Sequence, residues 1–560
     1  EMRRINKHKR VTALAMQGRR STCLQQFPEE KQGPGELARV CEEMKKRSRS
    51  KRKGGCHFYE NCLQYGEERF RKYASENVPT AEEFIKWCES LGACPREAMR
   101  AVIPEAKVVV APYNYILSKE VRQPLLEQWQ VEEGDLIVIV DEAHNLPDSA
   151  REEECVGIFA SLLTSVREER KHHGNILLGP EVHMDRFIEC MFDTLEELGR
   201  KPLAVGKNEG EIAKGELMTV LGRRLELDED CVRGVLANLS THGQGILDKQ
   251  IEQGNEAVSN TLKLAERLER WMTIDEGRFI FQVRTGEQAS LEALCLEPMA
   301  SVEIFRSCHA SVHMSGTLRP LGQYTNVLGL GSNCVRRTFE SPFPKENRTI
   351  FYVDDVNASY DSMSKDPGNA RRMLEHIVSL CNNVGRNTMV FFPSFRVLNN
   401  LYQMGLESKI SNPVFREEQG MSQQRLMAMV NKFKDHRGAV MLTVMGGRVS
   451  EGLDFPDEEL QLAIIAGIPY PTPTLFQQRL RELYDKRFGR GKGWEYAADA
   501  PALRKMMQSI GRLIRRQEDV GAAVILDSRI VNFRGQIDMR SSKDPAQDVV
   551  DFFASHGLIR

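Results

Sequence analysis

Two runs of consecutive branched apolar residues, Val108-Val109-Val110-Ala111 and Leu136-Ile137-Val138-Ile139-Val140, stand out in an otherwise mixed chain. They are too short for buried helices and lack the alternation of half-solvated strands, so they predict parallel strands buried on both faces. From about 153 to 288 the period changes. Phe187, Ile188, Met191, Leu195 and Leu198 share one helical face, as do Val258, Leu262, Ala265, Leu268 and Met272, which predicts an inserted helical layer with a charged exterior. Buried runs return at Met389 to Phe392, Ala439 to Val444, Leu462 to Ala466 and Ala522 to Leu526, most of them separated by helical stretches. That alternation is the signature of a doubly wound α/β sheet. The stretch Gly467-Ile468-Pro469-Tyr470-Pro471-Thr472-Pro473 is then an irregular strand exit, since its three prolines can continue neither sheet nor helix.

The length of 560 residues allows about three to five domains. With 41% hydrophobic and 28% charged residues, the composition is that of an ordinary globular chain. No apolar run approaches the ~18 residues of a membrane span, and no secretory leader is visible behind the basic start. The net charge of −2 conceals an asymmetry, because residues 1–53 hold 16 Lys/Arg against 6 Glu. Such a stretch suits a surface facing nucleic-acid phosphates, although solvated helix faces give the same count.

Cys23, Cys41, Cys56, Cys62, Cys88 and Cys94 crowd into 72 residues, while the other seven of the 13 cysteines scatter. Without a secretory context, a metal site is favoured over a disulfide framework. Cys56/Cys62 and Cys88/Cys94 each enclose five residues and would together make a tetrahedral zinc site. A widely spaced quartet would instead hold an iron–sulfur cluster. Spacing alone leaves both open.

The strand run ending at Val140 leads directly into Asp141-Glu142-Ala143-His144, two carboxylates at the strand end where open α/β sheets bind ligands. Phosphoryl transfer to water needs one group to hold Mg²⁺ and another to orient the attacking water, and Asp141 and Glu142 are candidates for both. Near the other end, Gln508-Ser509-Ile510-Gly511-Arg512-Leu513-Ile514-Arg515-Arg516 spaces Gln508, Arg512 and Arg515 along one face of a predicted helix. Guanidinium groups converging there suit the charge of a transferring phosphoryl group. The glycine-rich loop from Gly446 to Phe455, with Arg448, Ser450, Gly452 and Asp454, offers close backbone approach to phosphates. His313-Met314-Ser315-Gly316-Thr317 and Pro393-Ser394 add small hydroxyl residues after strands.

Taken in order, Asp-Glu-Ala-His, Ser-Gly-Thr, the glycine-rich loop and Gln-x-x-Gly-Arg-x-x-Arg resemble the superfamily 2 helicases. The cysteine-rich insertion ahead of Asp141, Gln17-Gly18-Arg19 before Cys23, and the helical insertion behind it make the chain similar to the xeroderma pigmentosum group D (XPD) family, in an archaeal-like form. The resemblance implies two RecA-like motor domains with cluster and arch domains inserted in the first. Motor domain 1 then takes 1–17, 100–152 and 289–335, the cluster domain 18–99, the arch 153–288, and motor domain 2 336–560. It implies ATP as substrate with Mg²⁺, Gly452 and Asp454 as nucleotide contacts, and a [4Fe–4S] cluster on Cys23, Cys41, Cys56 and Cys94. Cys62 and Cys88 become ordinary buried thiols. It further implies a monomer that moves 5′ to 3′ on single-stranded DNA passing beside the arch, engages forked or bubble DNA, and serves nucleotide excision repair with repair partners. Its place would be the nucleoid and cytoplasm of an archaeal-type cell, away from membranes. Tyr113 and Tyr115 are candidates for stacking on bases or for core packing.

No Gly-x-x-x-x-Gly-Lys-Ser/Thr occurs in the 560 residues, and that phosphate-wrapping loop is where a helicase grips ATP. Its absence and the non-Met start suggest an incomplete chain. The competing reading is a non-catalytic DNA-binding scaffold, against which the intact acidic and arginine motifs argue; a related nuclease would need a further acidic metal site. The polypeptide as given is expected to hydrolyse ATP poorly or not at all. Appreciable DNA-stimulated phosphate release by this chain, abolished by Glu142→Gln, would refute that.

Overall fold

In a parallel sheet covered on both faces, every side chain of an inner strand is buried, and this is what residues 388–392 show. Met389 and Phe391 enter one apolar cluster while Val390 and Phe392 enter the other, all at 0% exposure. The computed structural model describes residues 2–8, 11–25, 34–200, 208–253, 259–331, 333–449, 453 and 455–558. The chain separates into two compact units, Glu1–His313 and Met314–Arg560.

The second unit is built on a seven-stranded, all-parallel sheet. Its spatial order is Val414–Arg416, Val440–Val444, Thr388–Phe392, Leu462–Ile465, Gly521–Ile525, Arg348–Tyr352 and Arg540–Ser541. The four apolar runs of the sequence are its four consecutive central strands, in register from Thr388↔Val440 to Leu462↔Ala522. Parallel pairing brings their carboxyl ends to one side, so Ser394, Gly446, Gly467 and Asp527 all follow strands at the same edge. The Ser394 side chain caps the helix Phe395–Gln403 by accepting from Val397 N–H, as its position after a strand suggests.

The first unit corrects two expectations. The runs at 108–111 and 136–140 do form parallel strands, but in separate pairs: Ala13–Ala15 with Val108–Val110, and Ile137–Val140 with Ala310–His313. Neither pair hydrogen-bonds to another strand among the described residues. A two-stranded ribbon cannot cover both its faces, so Ile137 and Ile139 are 65% and 63% exposed rather than buried. The inserted layer is also not purely helical. Val156–Phe159, Ser290–Cys295, Phe279–Arg284 and Glu209–Glu211 form a four-stranded antiparallel sheet against which the expected helices pack. Phe279, Phe281 and Val283 face the helices Met184–Gly199 and Asn260–Thr273 around Trp271, which is fully buried. The alternation Phe-Ile-Phe-Gln-Val-Arg over 279–284 carried this strand signal. Ahead of it in the chain, four helices between His57 and Val102 make a smaller core in which Tyr73 and Trp87 stack at 3.7 Å.

Two glycines in the helix Glu229–Gln253 differ in what they tolerate. A Cβ on Gly243 would lie 2.5 Å from the Leu262 backbone nitrogen, where this helix crosses Asn260–Thr273, whereas Gly245 has open space around it. Gly→Ala inside a helix normally stabilises by about 0.5–1 kcal/mol. Gly245→Ala is therefore expected to raise the thermal midpoint of the first unit. Gly243→Ala is expected to lower it by separating the two helices, and calorimetry of both variants reads the difference.

Candidate nucleotide and cluster sites

Asp141 follows the strand Ile137–Val140, and the chain must turn sharply there to enter the helical stretch beginning at Ala143. It does so through Glu142 at φ 47°, in the left-handed region, a conformation that costs a non-glycine residue about 1–3 kcal/mol and collects at functional sites. Asp141 Oδ1 accepts from Glu142 N–H at 2.9 Å, and Glu142 Oε2 lies 3.3 Å from His144 Nδ1. The three motif residues thus cluster at the strand end with the Glu142 carboxylate turned outward, 64% exposed.

Tyr113 donates its hydroxyl to the Asp141 carbonyl at 2.5 Å. Burial, and next the Asp141 charge, push its phenol up to about 12, so it remains a donor. Tyr115 is buried and its hydroxyl donates to the Gln17 carbonyl, which settles it as a core residue. A cavity of about 300 Å³ beside Tyr113 is lined by Asn114, Leu117, Ser149, Glu152 and Glu153.

In the second unit, the helix carrying Gln508 runs Ala500–Ile510 and stops. Gly511 is its C-cap, and a Cβ there would sit 2.9 Å from the Met507 carbonyl. The expected single helical face of Gln508, Arg512 and Arg515 is therefore not formed, because both arginines lie in the turn beyond the helix. Buried Asp519 shapes that turn, its Oδ2 accepting from the backbone N–H of Arg515 (2.6 Å) and Arg516 (2.8 Å). Arg512 is buried and donates to the Leu453 carbonyl, while Arg515 is exposed. Arg512 thereby ties the turn to the glycine-rich loop. Gly446 adopts φ 71°, and a Cβ on Gly447 would lie 2.9 Å from the Val444 carbonyl, so both positions demand glycine. Gly452 and Asp454 lie outside the described residues.

Sequence reading missed Arg504, one helical turn before Gln508. It is 6% exposed and donates to Gln323 Oε1 and, at 3.4 Å, to the Leu318 carbonyl. Gln323 in turn donates to the Tyr496 carbonyl. These bonds fasten the segment following Ser315-Gly316-Thr317 to the helix of Gln508. The i, i+4 spacing of Arg504 from Gln508 was the available signal.

Cys56 and Cys94 each occupy the N-cap position of a helix, His57–Tyr65 and Pro95–Val102, while Cys23 closes Arg19–Thr22 and Cys41 lies on Pro34–Arg49. Helix N-termini favour thiolates. Cys94 N–H donates to the Phe58 carbonyl, joining the two N-cap turns. Buried Lys45, four residues from Cys41, pairs with Glu42 (2.8 Å) and Glu97 (3.1 Å). Burial raises the Cys23 and Cys41 thiols and pushes Cys94 up to about 12, with Cys62 and Cys41 adding to the rise at Cys94. The donor chemistry fits a thiolate-bound group, but among the described residues no three ligating side chains converge on a preformed cation site. Cys62 and Cys88 are buried, and Cys62 Sγ contacts the Cys94 carbonyl at 3.4 Å. The basic excess of 1–53 is partly spent internally, on Arg3–Glu83, Arg19–Glu42, Lys45 and Arg47–Glu43. Lys46, Arg49, Lys51, Arg52 and Lys53 remain exposed.

His313 pairs with Val140 across the strand pair, and burial lowers its imidazole to about 4. The folded protein thus favours the neutral ring, so stability is complete above the unfolded value of about 6.5 and falls as the pH drops toward 4. His313→Gln is expected to flatten that part of the stability profile, as read by denaturant melts between pH 4 and 7. An unchanged profile would exclude His313 as the cause.

Residues 1–163 match the DEAD_2 family and residues 377–544 the helicase C-terminal domain family. The chain is 23% identical to the Fanconi anemia group J protein homolog of Gallus gallus, over 84% of this chain and 43% of that protein. It is 23% identical to the ATP-dependent DNA helicase CHL1 of Yarrowia lipolytica, over 91% and 70%, and 24% identical to that of Coccidioides immitis, over 82% and 59%. The chain therefore spans between 43% and 70% of these relatives' own lengths. A solved XPD helicase shares the fold with TM-score 0.64 at 17% identity, over 97% of this chain and 89% of that one. Xpd4 of S. tokodaii shares it with TM-score 0.57 at 17% identity, over 81% and 87%. The two family matches thus fall in this order along the chain, on a fold that it shares with solved XPD helicases.

Proposed function

We propose that the protein is the motor of an ATP-dependent DNA helicase that translocates 5′ to 3′ on single-stranded DNA and acts on forked or bubble substrates in nucleotide excision repair. The carrying observation is the strained strand end at Asp141-Glu142 in the first unit; the arginine turn of the second unit supplies cationic groups of the kind that phosphate chemistry uses. Asp141 would hold Mg²⁺, which supplies charge neutralisation and a template for the phosphates when bound. Glu142, outward and in contact with His144, orients and deprotonates the attacking water. Arg512 and Arg515 answer the negative charge of the phosphoryl group, Arg512 from a fixed position because the Leu453 carbonyl holds it. Gln508, with Gly452 and Asp454, completes the nucleotide contacts.

Cys23, Cys41, Cys56 and Cys94 are the proposed ligands of a [4Fe–4S] cluster, whose role is to brace the small helical layer between Pro34 and Val102. The placement of Cys56 and Cys94 at helix N-termini, joined by the Cys94 N–H to Phe58 carbonyl bond, supports this reading. Exposed Lys46, Arg49 and Lys51 to Lys53 next to that layer are the proposed phosphate contacts for DNA. The whole protein is proposed to work as a monomer alongside repair partners in an archaeal-type cell.

Anaerobically purified protein is expected to be brown, with broad visible absorption and thiolate-bound iron lost on Cys→Ser at each of the four positions. A colourless protein with about one zinc per chain would overturn the cluster. The full-length gene product is expected to unwind a forked duplex from a 5′ tail with ATP and Mg²⁺, and Glu142→Gln is expected to cut turnover about 10²-fold or more. DNA binding without any ATP-driven unwinding would favour the scaffold reading instead.

A further inference from the structure

The seven-stranded sheet of the second unit ends on Val414–Arg416, which pairs with Val440–Val444 on one side, and no strand among the described residues takes its other edge. Glu417 N–H donates to the Leu442 carbonyl and Val440 N–H to the Pro413 carbonyl. Because successive residues of a strand alternate in direction, Val414 and Arg416 present their own N–H and C=O to the open edge. Such an edge is a template for another strand unless it is covered or blunted.

A groove of about 280 Å³ lies between this strand and the helix Gln423–Lys434, with Phe415, Met421 and Met429 supplying an apolar floor. Its rim is cationic. Arg416 and Arg425 share one carboxylate, Glu418, at 3.3 and 3.2 Å, and Lys432 is exposed. Glu417 does not offset them, since it is 3% exposed and turned inward to accept from Thr443 Oγ1 at 2.6 Å. The groove is small by the standard of ligand pockets, so side chains alone would bind weakly and backbone pairing must supply the rest. Methionines adapt to varied apolar side chains. A nucleic acid would satisfy the cations, but it has no alternating amide and carbonyl row to match the strand edge.

We propose that the open edge Val414–Arg416 and its basic, methionine-lined groove form a docking site for an extended acidic segment of a partner protein, added as a further strand of the sheet. The site uses none of the residues assigned to nucleotide chemistry, so it stands or falls apart from the helicase reading.

The probe is a phage-displayed library of random ten-residue peptides selected on the whole chain, with the enriched peptides then synthesised. Enriched sequences are expected to alternate apolar residues with Asp or Glu, and the bound peptide to slow amide exchange at Val414 and Arg416 at least tenfold. Arg425→Glu with Lys432→Glu, both on an exposed helix face, is expected to weaken binding at least tenfold, and Arg425→Gln with Lys432→Gln by less. Enrichment lacking acidic residues, binding that leaves the two amides unprotected, or indifference to charge reversal would overturn the proposal. Displacement of the peptide by a twenty-nucleotide oligothymidine would also overturn it and give the groove to nucleic acid.

Discussion

Parallel pairing of strands buried on both faces is the constraint on which the second unit depends. Once Thr388–Phe392, Val440–Val444, Leu462–Ile465 and Gly521–Ile525 stack in one direction, the sheet has no room for polar chemistry within it. Every loop that leaves it does so at one side, and the chemistry follows. Asp527, fully buried after the last of these strands, accepts from Ile468 N–H and holds Arg529 through two side-chain nitrogens. One carboxylate therefore fixes the start of the proline-rich exit, and Arg529 then lies 5.3 Å from the Tyr470 ring. The rigidity of the sheet is passed to the loops through a few buried ion and hydrogen-bond anchors.

Asp519 shows the same economy in the arginine turn. A helix ends at Gly511, and two backbone amides meet one buried carboxylate, so the guanidinium groups that follow are aimed by backbone geometry and not by helical spacing. An arginine placed on a regular helix face carries a long, entropically free side chain. Arg512, buried and bonded to the Leu453 carbonyl, has already given up that freedom on folding, and under the proposed ATP chemistry that fixed position would serve as preorganisation. Glu142 is the counterpart in the first unit, where a left-handed turn positions the carboxylate.

What the sequence made legible follows from how local each signal is. The inner strands of the second unit were visible because two-sided burial writes itself as unbroken apolar runs, and Asp141-Glu142 was visible because it adjoins such a run. The same rule misjudged Leu136 to Val140, since an apolar run records what a strand is suited to cover and not how many neighbours it has. The antiparallel sheet over 156–295 was hidden by its neighbours: helices dominate the segment, and only the hairpin of Phe279–Arg284 with Ser290–Cys295 is local, the strands Val156–Phe159 and Glu209–Glu211 being separated from it by long helical stretches. Arg512 and Arg515 stood out as candidate phosphate contacts but were expected on a helix, because spacing of four and three fits a helix face and Asp519, which shapes the turn, acts from outside the motif. Gln323 and Arg504, 181 residues apart, were beyond any local pattern.

The cysteine layer poses a different problem, one of charge rather than of position. In the proposed quartet, four thiolates would carry a charge of about −4 before any cation is bound, a heavy burden for half-buried positions. The protein answers in two ways. Burial raises the Cys23, Cys41 and Cys94 thiols, the last up to about 12, and Cys56 and Cys94 sit at helix N-termini, where backbone dipoles compensate anions without adding side-chain charge. The cations nearby do not serve the sulfurs alone, since Lys45 already binds two carboxylates and Arg19 faces both Cys41 and Glu42. Under the proposed cluster reading, a cationic group would offset part of the thiolate charge, and its loading would release the thiol protons and couple to the folding of this layer.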